Sequence, residues 1–419
     1  MNPNNSPTVK RFFGMDIHRD YAVLVAVSGP NQVVMPARRV DYVKLEGWLK
    51  QQLTSLDEVA IEATINAWTI HDLIKPLVAR VVIVDARQVK LISHASVKTD
   101  AQDALRLANL LSVNLLPVVW VPPPPVRDLR ALVAHREALC KRRTIAFNRI
   151  RSVLNRHNLD QPDDLVQSQD WLTLVQSQLS SVERLIIADD LASLAPISAS
   201  ISGAETELAR LSQSDHWRTQ AAQVMQLSGF GIIHAMSVLG AIGDISRFDS
   251  PEKLGGYSGL FPSKDQSGQK DRSGRITKEG RSDLRFALVS AARTAVRFDP
   301  RWKALFDEMS TRMHEHKALV AIARKLAEVI WHVLQKSEPA HQISDLQLAK
   351  KFLSIRDQLR AHGLPTLPAR FFIRQQLIAL GRRDGPAQFL KGARPRLIAS
   401  DDELRAFLDQ AAAPQSSSC

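Results

Sequence analysis

Two carboxylates open a predicted helix on the side that should face the protein interior. The helix is predicted by an apolar stripe that consists of Ala104, Leu107, Ala108, Leu111 and Leu115. Asp100 and Asp103 continue this stripe backwards by one turn, so both carboxylates point towards the expected core. Like charges three residues apart repel, and a hard divalent cation with oxygen ligands would relieve the repulsion. The alternative is an ordinary helix start, where aspartate is favoured for capping and for its interaction with the helix dipole.

Two further carboxylates lie on short apolar segments that alternate as β-strands do. Asp16 belongs to the predicted strand 11–17 and Glu62 to the predicted strand 58–63. Strand parity places Asp16 on the opposite face from the large apolar side chains beside it, and it does the same for Glu62 and its apolar neighbour. A ribonuclease-H-like fold gathers two divalent ions with two strand acids followed by two acids on a late helix. Two ions about 4 Å apart activate a nucleophile and stabilise the leaving oxygen of a phosphodiester. The order of the four acids therefore predicts a divalent-metal site.

A serine in a basic segment is a second candidate for chemistry. Ser267 lies in a predicted flexible loop, 263–275, that is crowded with serine, glycine and charge. An exposed hydroxyl there would attack phosphorus if a base or a metal activated it and cations stabilised the transition state. Ser263 and Ser273 are competitors of the same kind, and serine in such a loop more often serves turn geometry.

The charge balance favours a polyanionic partner. The 419 residues include 55 lysines and arginines against 43 acidic residues, a formal net charge of +12 at pH 7. Such an excess usually accompanies nucleic-acid binding, and the alternative is a surface that is merely basic and soluble. The two cysteines are too few for a disulfide framework or a zinc cluster, which favours a reduced, cytoplasmic compartment. No signal peptide and no apolar run of membrane-spanning length is predicted.

The pattern of elements predicts an α/β domain followed by helical ones. An antiparallel three-stranded meander followed by alternating helices and strands predicts a mixed sheet over residues 1–125. One of these helices is predicted over 68–78. The proline run 122–125 predicts a stiff linker. Residues 126–215 are predicted to form a helical hairpin or coiled-coil arm. Its first helix fits a heptad frame, interrupted by Arg136 and Arg143, that consists of Leu129, Leu132, Leu139, Ala146, Ile150 and Val153. Further helical segments are predicted over 171–189 and near Leu208. That arm carries basic residues that either track phosphates or keep it soluble, among them Lys141, Arg142, Arg149 and Arg151.

The remaining chain is predicted to be mostly α-helical. Residues 216–337 contain a small-residue turn, 227–233, whose backbone N–H groups would hold a phosphate, unless its glycines serve backbone geometry only. Two apolar stripes follow and predict core helices; they consist of Leu284, Leu288, Ala291, Ala295 and Phe298, and of Leu319, Ile322, Ala323, Leu326, Ile330 and Val333. Residues 338–419 form a C-terminal extension of unknown role, with a tail, 414–419, that is predicted to be disordered.

Taken together, these segments resemble the insertion-sequence-110 type transposases, also called DEDD transposases, which are related to the Piv and MooV DNA invertases. In the first half the resemblance rests on Gly14-Met15-Asp16, Ile61-Glu62-Ala63-Thr64 and Lys98-Thr99-Asp100-Ala101-Gln102-Asp103-Ala104. In the second half it rests on Leu227-Ser228-Gly229-Phe230-Gly231, Tyr257-Ser258-Gly259-Leu260-Phe261-Pro262, Gln266-Ser267-Gly268, Ile276-Thr277-Lys278-Glu279-Gly280 and Ala323-Arg324-Lys325-Leu326-Ala327. The order of these motifs is more specific than any single one. The chain departs from the family at Ile65-Asn66, where a glycine is common, and at Ser228, where proline is usual.

The resemblance implies a fold and a chemistry that composition and residue spacing alone do not imply. It implies a RuvC-like N-terminal domain in which Asp16, Glu62, Asp100 and Asp103 bind Mg²⁺. It also implies a separate helical transposase domain in which Ser267 is the nucleophile and forms a transient phosphoserine link with DNA. The two domains would form a composite site across protomers, which implies a homo-oligomer. A structured non-coding RNA from the element would guide recognition of donor and target DNA, in the bacterial cytoplasm at the nucleoid.

The sequence therefore predicts a Mg²⁺-dependent, serine-using DNA recombinase that moves an insertion sequence. Two rival interpretations remain open. One is a junction-resolving nuclease in which water attacks and Ser267 is a turn residue. The other is a non-catalytic RNA-binding protein that keeps the fold for its basic surface. Affinity for nucleic acid should fall steeply with salt in all three cases, so salt dependence does not separate them.

Overall fold

The protein divides into two compact units at its proline run. The structure, a computed structural model, describes residues 10–92, 99–159, 170–267, 270–336, 343–382 and 386–412. The first unit is Met1–Pro122 and the second is Pro123–Cys419. The predicted disordered tail, 414–419, lies outside the described residues.

The first unit is built on a six-stranded sheet with the strand order β3-β2-β1-β4-β5-β6. The strands are β1 (Phe12–Ile17), β2 (Tyr21–Gly29), β3 (Gln32–Asp41), β4 (Glu58–Glu62), β5 (Arg80–Val84) and β6 (Val118–Val119). The first three form the predicted antiparallel meander, β4 and β5 run parallel to β1, and β6 is antiparallel to β5. The prediction of an α/β unit with a mixed sheet is confirmed, and this sheet is compatible with a RuvC-like domain.

Helices cover both faces of this sheet. They are α1 (Tyr42–Gln52), α2 (Ala67–Ile74), α3 (Ala86–Ile92) and α4 (Asp100–Ser112). Apolar residues of α1 and α2 pack with Val59 and Ile61 on one face, while residues of α4 pack with Ala60 on the other. The sheet thus separates two cores, as strand parity predicts.

Two helices of the first unit end earlier than the sequence predicts. The helix predicted over 68–78 ends at Ile74, since Pro76 has no N–H to continue the ladder. The stripe of α4 stops at Leu111, and Leu115 is 61% exposed because the helix ends before it.

The second unit begins with a pair of long helices. Its first elements are α5 (Pro124–Arg156), α6 (Asp170–Val175), a 3₁₀ turn (Gln176–Gln178) and α7 (Ser181–Leu211). Pro124 and Pro125 of the proline run predicted as a linker therefore begin the first turn of α5, where prolines need no N–H partner. α7 is one continuous helix, whereas the sequence predicts two segments, 171–189 and one near Leu208.

The heptad positions of α5 pack against α7. Ala146, Ile150 and Val153 share a core with Ile187 and other residues of α7. Leu132 is only half-buried, and its neighbour Val133 is buried in its place. Arg136, which interrupts the heptad frame, donates its Nε–H to Glu205 of α7 at 2.8 Å.

The helix α7 corrects one further expectation. Within the described ranges it is the one helix long and apolar enough to cross a membrane by length and composition. The prediction that no apolar run reaches that length is therefore wrong for this helix. α7 nevertheless carries Asp190, which is 2% exposed and forms an ion pair with Arg149 of α5.

Shorter helices and a hairpin complete the middle of the second unit. They are α8 (Arg218–Met225), α9 (Ile232–Ile242), a 3₁₀ turn (Ile245–Arg247), α10 (Pro251–Tyr257), β7 (Pro262–Ser267), β8 (Lys270–Ile276), α11 (Ser282–Phe298), α12 (Pro300–Ser310) and α13 (Glu315–Lys336). The segment 263–275 is predicted as a loop, but its described residues, 263–267 and 270–275, lie on β7 and β8, which pair antiparallel. Both predicted apolar stripes are largely buried, except that Leu319 is half-buried and Phe298, at the end of α11, is 68% exposed.

The C-terminal extension is folded in its described part. It contains α14 (Asp345–Ala361), α15 (Ala369–Ala379), β9 (Gln388–Lys391), β10 (Arg394–Leu397) and α16 (Asp401–Ala412). Lys351 of α14 donates to the carbonyls of Met225 at 2.6 Å and Phe230 at 2.7 Å. The extension thus satisfies carbonyl groups at the C-terminal end of α8 and in the turn that follows.

Candidate metal centre and active site

The two strand acids lie side by side at one edge of the sheet. Asp16 is the penultimate residue of β1 and Glu62 is the last residue of β4. These strands are adjacent and parallel, with Met15 paired to Ile61. Asp16 and Glu62 each follow this pair by one residue. Because parallel strands end at the same edge of a sheet, the two carboxylates lie together there.

A glycine lets the acids of α4 reach the same edge. Gly14 lies beneath α4, and a Cβ placed on it would be 1.9 Å from the carbonyl oxygen of Ala104. Only glycine permits this close backbone approach. The helix starts at Asp100, after Thr99, whose side chain accepts a hydrogen bond from the N–H of Gln102. The first turn of α4 is thereby held over the end of β1.

All four predicted acids line one cavity of about 220 Å³. The acids are Asp16, Glu62, Asp100 and Asp103, and the cavity is also lined by His18, Thr64, Lys90 and Arg106. The four acids come from two strands and one helix that are far apart in the chain, so their meeting is a property of the fold.

The carboxylates of the cavity influence each other electrostatically. The pKa of Asp16 is raised, first because burial disfavours its charged form and then because Asp100 and Asp103 carry like charge; His18 opposes the shift. Arg106 donates to Asp103 Oδ1 at 3.1 Å, and Tyr21 donates its hydroxyl to Asp100 Oδ2 at 2.9 Å. The hydrogen bond to Asp100 is also the main cause that raises the pKa of Tyr21.

His18 is a residue of this site that the sequence reasoning missed. Its Nε2 lies 3.2 Å from Asp16 Oδ2 and 3.2 Å from Asp100 Oδ2. Its ring stacks on Tyr21 with the centroids 4.6 Å apart. His18 follows Asp16 by two residues, and strand parity returns to the same face of the sheet after two residues. That parity is the signal that could have found it.

The donor set suits a divalent cation. Within the described residues, Asp16, His18 and Asp100 each offer a ligand atom, and these atoms lie within 4.8 Å of one another. Carboxylate oxygens are the preferred ligands of hard divalent ions. A cation would also relieve the repulsion that raises the pKa of Asp16. The residues of this cavity therefore fit the divalent cation that the arrangement of the acids implies.

Ser267 belongs to the other compact unit. It is the last residue of β7, and its backbone is paired with Lys270 across the hairpin. The two competing serines lie in the same hairpin, Ser263 on β7 and Ser273 on β8. The side chain of Ser267 lies outside the described residues, so its role stays a prediction.

Two family models match the chain, one over each group of candidate residues. A DEDD transposase model of the IS110 type matches residues 13–159, which include all four acids. A second model, described as the transposase IS116/IS110/IS902 family, matches residues 221–307, which include Ser267. The chain belongs to the IS110 family of insertion-sequence transposases. It is therefore an enzyme of DNA strand transfer, and the predicted family is confirmed.

Curated relatives of this IS110-type transposase come from several bacteria. The transposase for insertion sequence element IS1111A of Coxiella burnetii is 28% identical over 253 residues, which are 58% of this chain and 68% of the relative. A candidate transposase of Sinorhizobium fredii is 26% identical over 361 residues, 78% of this chain and 89% of the relative. A 42 kDa protein of insertion element IS900 from Mycobacterium paratuberculosis is 31% identical over 122 residues, 28% of this chain and 30% of that protein.

Proposed function

We propose that this transposase cuts and rejoins the DNA of an insertion sequence with a serine nucleophile, Ser267, and a Mg²⁺ site formed by Asp16, Glu62, Asp100 and Asp103. The observation that supports the proposal is the convergence of all four acids on one cavity. A pair of acids at a helix start would need no partners from two strands. The capping interpretation of Asp100 and Asp103 alone does not account for that convergence.

The residues of the cavity have separate tasks in this proposal. When bound, Mg²⁺ would supply Lewis-acid stabilisation of the charge that develops on the phosphodiester oxygens. The four acids would hold it, and Tyr21 orients Asp100 through the 2.9 Å hydrogen bond. Arg106 donates to one oxygen of Asp103 and so fixes the orientation of that carboxylate. Ser267 would form the new bond to phosphorus while a deoxyribose oxygen leaves, which conserves a phosphoester bond for rejoining.

The partners and the setting belong to the same proposal. The net charge of +12 supports binding to DNA ends and target, and to a guide non-coding RNA encoded by the element. The acids and Ser267 lie in different compact units, which is consistent with a site composed from two protomers of a homo-oligomer. We likewise propose that the second unit consists of an arm (126–215), a transposase domain (216–337) and an extension (338–419). The proposed setting is cytoplasmic and nucleoid-associated, without a membrane partner. Kinship with the Piv and MooV invertases is proposed as well.

The nucleophile is tested by replacing Ser267. Ser267→Ala should abolish covalent protein–DNA adducts, measured by denaturing gel electrophoresis with end-labelled DNA, and should leave nucleic-acid binding intact. Ser263→Ala, in the same hairpin, is the matched control and should keep the adducts. Adducts that persist in Ser267→Ala and vanish in Ser263→Ala would reassign the nucleophile.

The metal site is tested by neutralising one acid at a time. Asp16→Asn or Asp103→Asn should reduce strand exchange by at least about 100-fold, because each removes a charged ligand from the proposed ion. Asp20→Asn is the control, since Asp20 is exposed and follows Asp16 by only four residues. Near-normal exchange in either ligand variant would show that the metal site is misassigned.

One rival function draws support from the structure. The acid cavity is formed by the first unit alone, as a junction-resolving nuclease that uses water would require. Hydrolysed ends without any adduct in the unmodified protein would favour that rival. Binding that is indifferent to loss of the acids, together with an absence of cleavage, would favour the RNA-binding interpretation.

A further inference from the structure

The imidazole of His18 is directed into the acid cavity between two carboxylates. Its side chain is 38% exposed, yet the Nε2 atom itself is shielded from solvent. This nitrogen lies equally close, 3.2 Å, to Asp16 Oδ2 and to Asp100 Oδ2. It makes a directed hydrogen bond to neither of them.

A simple histidine–carboxylate pair does not explain this position. An imidazole nitrogen carries at most one proton and can direct it to one acceptor. Here two acceptors are equidistant and neither lies along the donor direction. In the neutral tautomer whose proton is on Nδ1, a nitrogen placed this way presents its lone pair to a cation bound between the two carboxylates.

The distances match those between neighbouring ligands of one ion. Adjacent ligands of an octahedral ion with bonds of about 2.1 Å lie about 3.0 Å apart. His18 Nε2 is 3.2 Å from each of the two oxygens, and the three ligand atoms lie within 4.8 Å of one another. The three atoms are therefore already spaced as one set of ligands.

Neighbouring aromatic and cationic groups hold the ring in this orientation. Tyr21 stacks on His18, and its hydroxyl donates to the same Asp100 oxygen that faces Nε2. The guanidinium of Arg39 lies 3.7 Å from the centroid of the Tyr21 ring. Groups that fix a ligand's ring and its carboxylate partner at once are typical of metal sites.

We propose that His18 Nε2 is a third protein ligand, beside Asp16 and Asp100, of one divalent ion in this cavity. The site is then a mixed nitrogen–oxygen site. Imidazole raises the affinity for first-row transition ions relative to Mg²⁺, so the site binds Mn²⁺ more tightly than four carboxylates alone would. This inference rests on the metal site of the proposed function and adds a ligand to it.

Electron spin echo spectroscopy of the full-length protein with Mn²⁺ tests the ligand directly. The unmodified protein should show ¹⁴N modulation from a coordinated imidazole. His18→Gln should lose the modulation, and its Mn²⁺ dissociation constant, measured by calorimetry, should rise about tenfold or more, with a smaller change for Mg²⁺. Tyr21→Phe keeps the ring and should keep the modulation.

The control is His135→Gln, which replaces an exposed histidine of α5 and should change neither signal nor affinity. Mn²⁺ that binds the unmodified protein without ¹⁴N modulation would overturn the role of His18 and leave the proposed function standing. ¹⁴N modulation that survives in His18→Gln would also overturn the role of His18 and leave the proposed function standing. Absence of any Mn²⁺ or Mg²⁺ binding would overturn both this inference and the metal site on which it rests.

Discussion

Gly14→Ala tests whether the close approach of α4 to β1 builds the metal site. The added Cβ would lie 1.9 Å from the carbonyl oxygen of Ala104 and 2.6 Å from the N–H nitrogen of Ala108. Ordinary contact begins near 3.4 Å, so α4 would have to withdraw by about 1.5 Å. Both neighbours are helix backbone, which cannot rotate away as a side chain can. Overpacking of this kind costs about 2 kcal/mol or more.

The consequence is measurable by amide hydrogen exchange in the full-length protein. A loss of about 2 kcal/mol in local stability should speed exchange in β1 and α4 about 30-fold. The withdrawal also carries Asp100 and Asp103 away from Asp16, so calorimetry should show a weaker affinity for divalent ions. Both changes follow from the same displacement.

The matched control is a glycine with free space around it. Gly47 lies on the exposed face of α1 with nothing within 4 Å of an added Cβ. Gly47→Ala should stabilise α1 by about 0.5–1 kcal/mol, because alanine loses less conformational entropy in a helix. Unchanged hydrogen exchange and unchanged ion affinity in Gly14→Ala would refute the role of Gly14 in bringing α4 to the metal site.

Two further predictions concern the second unit. Gly229→Ala should lower the melting temperature, because Gly229 has a φ of +88° and an added Cβ would lie 2.1 Å from the carbonyl oxygen of Ala291. Gly231→Ala should be tolerated, because nothing lies within 4 Å of a Cβ added there. Equal losses of melting temperature in the two variants would contradict this reasoning. Burial lowers the pKa of Lys351 from its ordinary 10.5 to about 8, so between these pH values the unfolded chain binds one more proton and the free energy of unfolding should rise with pH. Lys351→Met should lack that rise in denaturant titrations, and an identical pH slope in both proteins would exclude the titration of this lysine.

The acids of the site could be found from sequence because their placement is governed by local geometry. The period of a strand sets the face of Asp16 and Glu62, and the period of a helix sets the face of Asp100 and Asp103. Both periods are properties of the backbone and need no knowledge of the neighbours. The apolar residues that alternate with these acids show which face is buried. The hairpin that carries Ser267 escaped this reasoning, since its polar segment has no apolar alternation and its register depends on cross-strand pairing.

Only the tertiary structure could decide which groups meet at the ends of these elements. The pairing of β1 with β4 joins segments more than 40 residues apart in the chain, and this pairing sets Asp16 beside Glu62. The role of Gly14 depends on backbone atoms of α4, about 90 residues further along the chain. The amino-acid sequence by itself therefore determined the inventory of acids and the faces they occupy. The fold decided that Glu62, Asp100 and Asp103 share one cavity with Asp16 and His18, because residues distant in the chain approach within a few ångströms only after the sheet and α4 have packed.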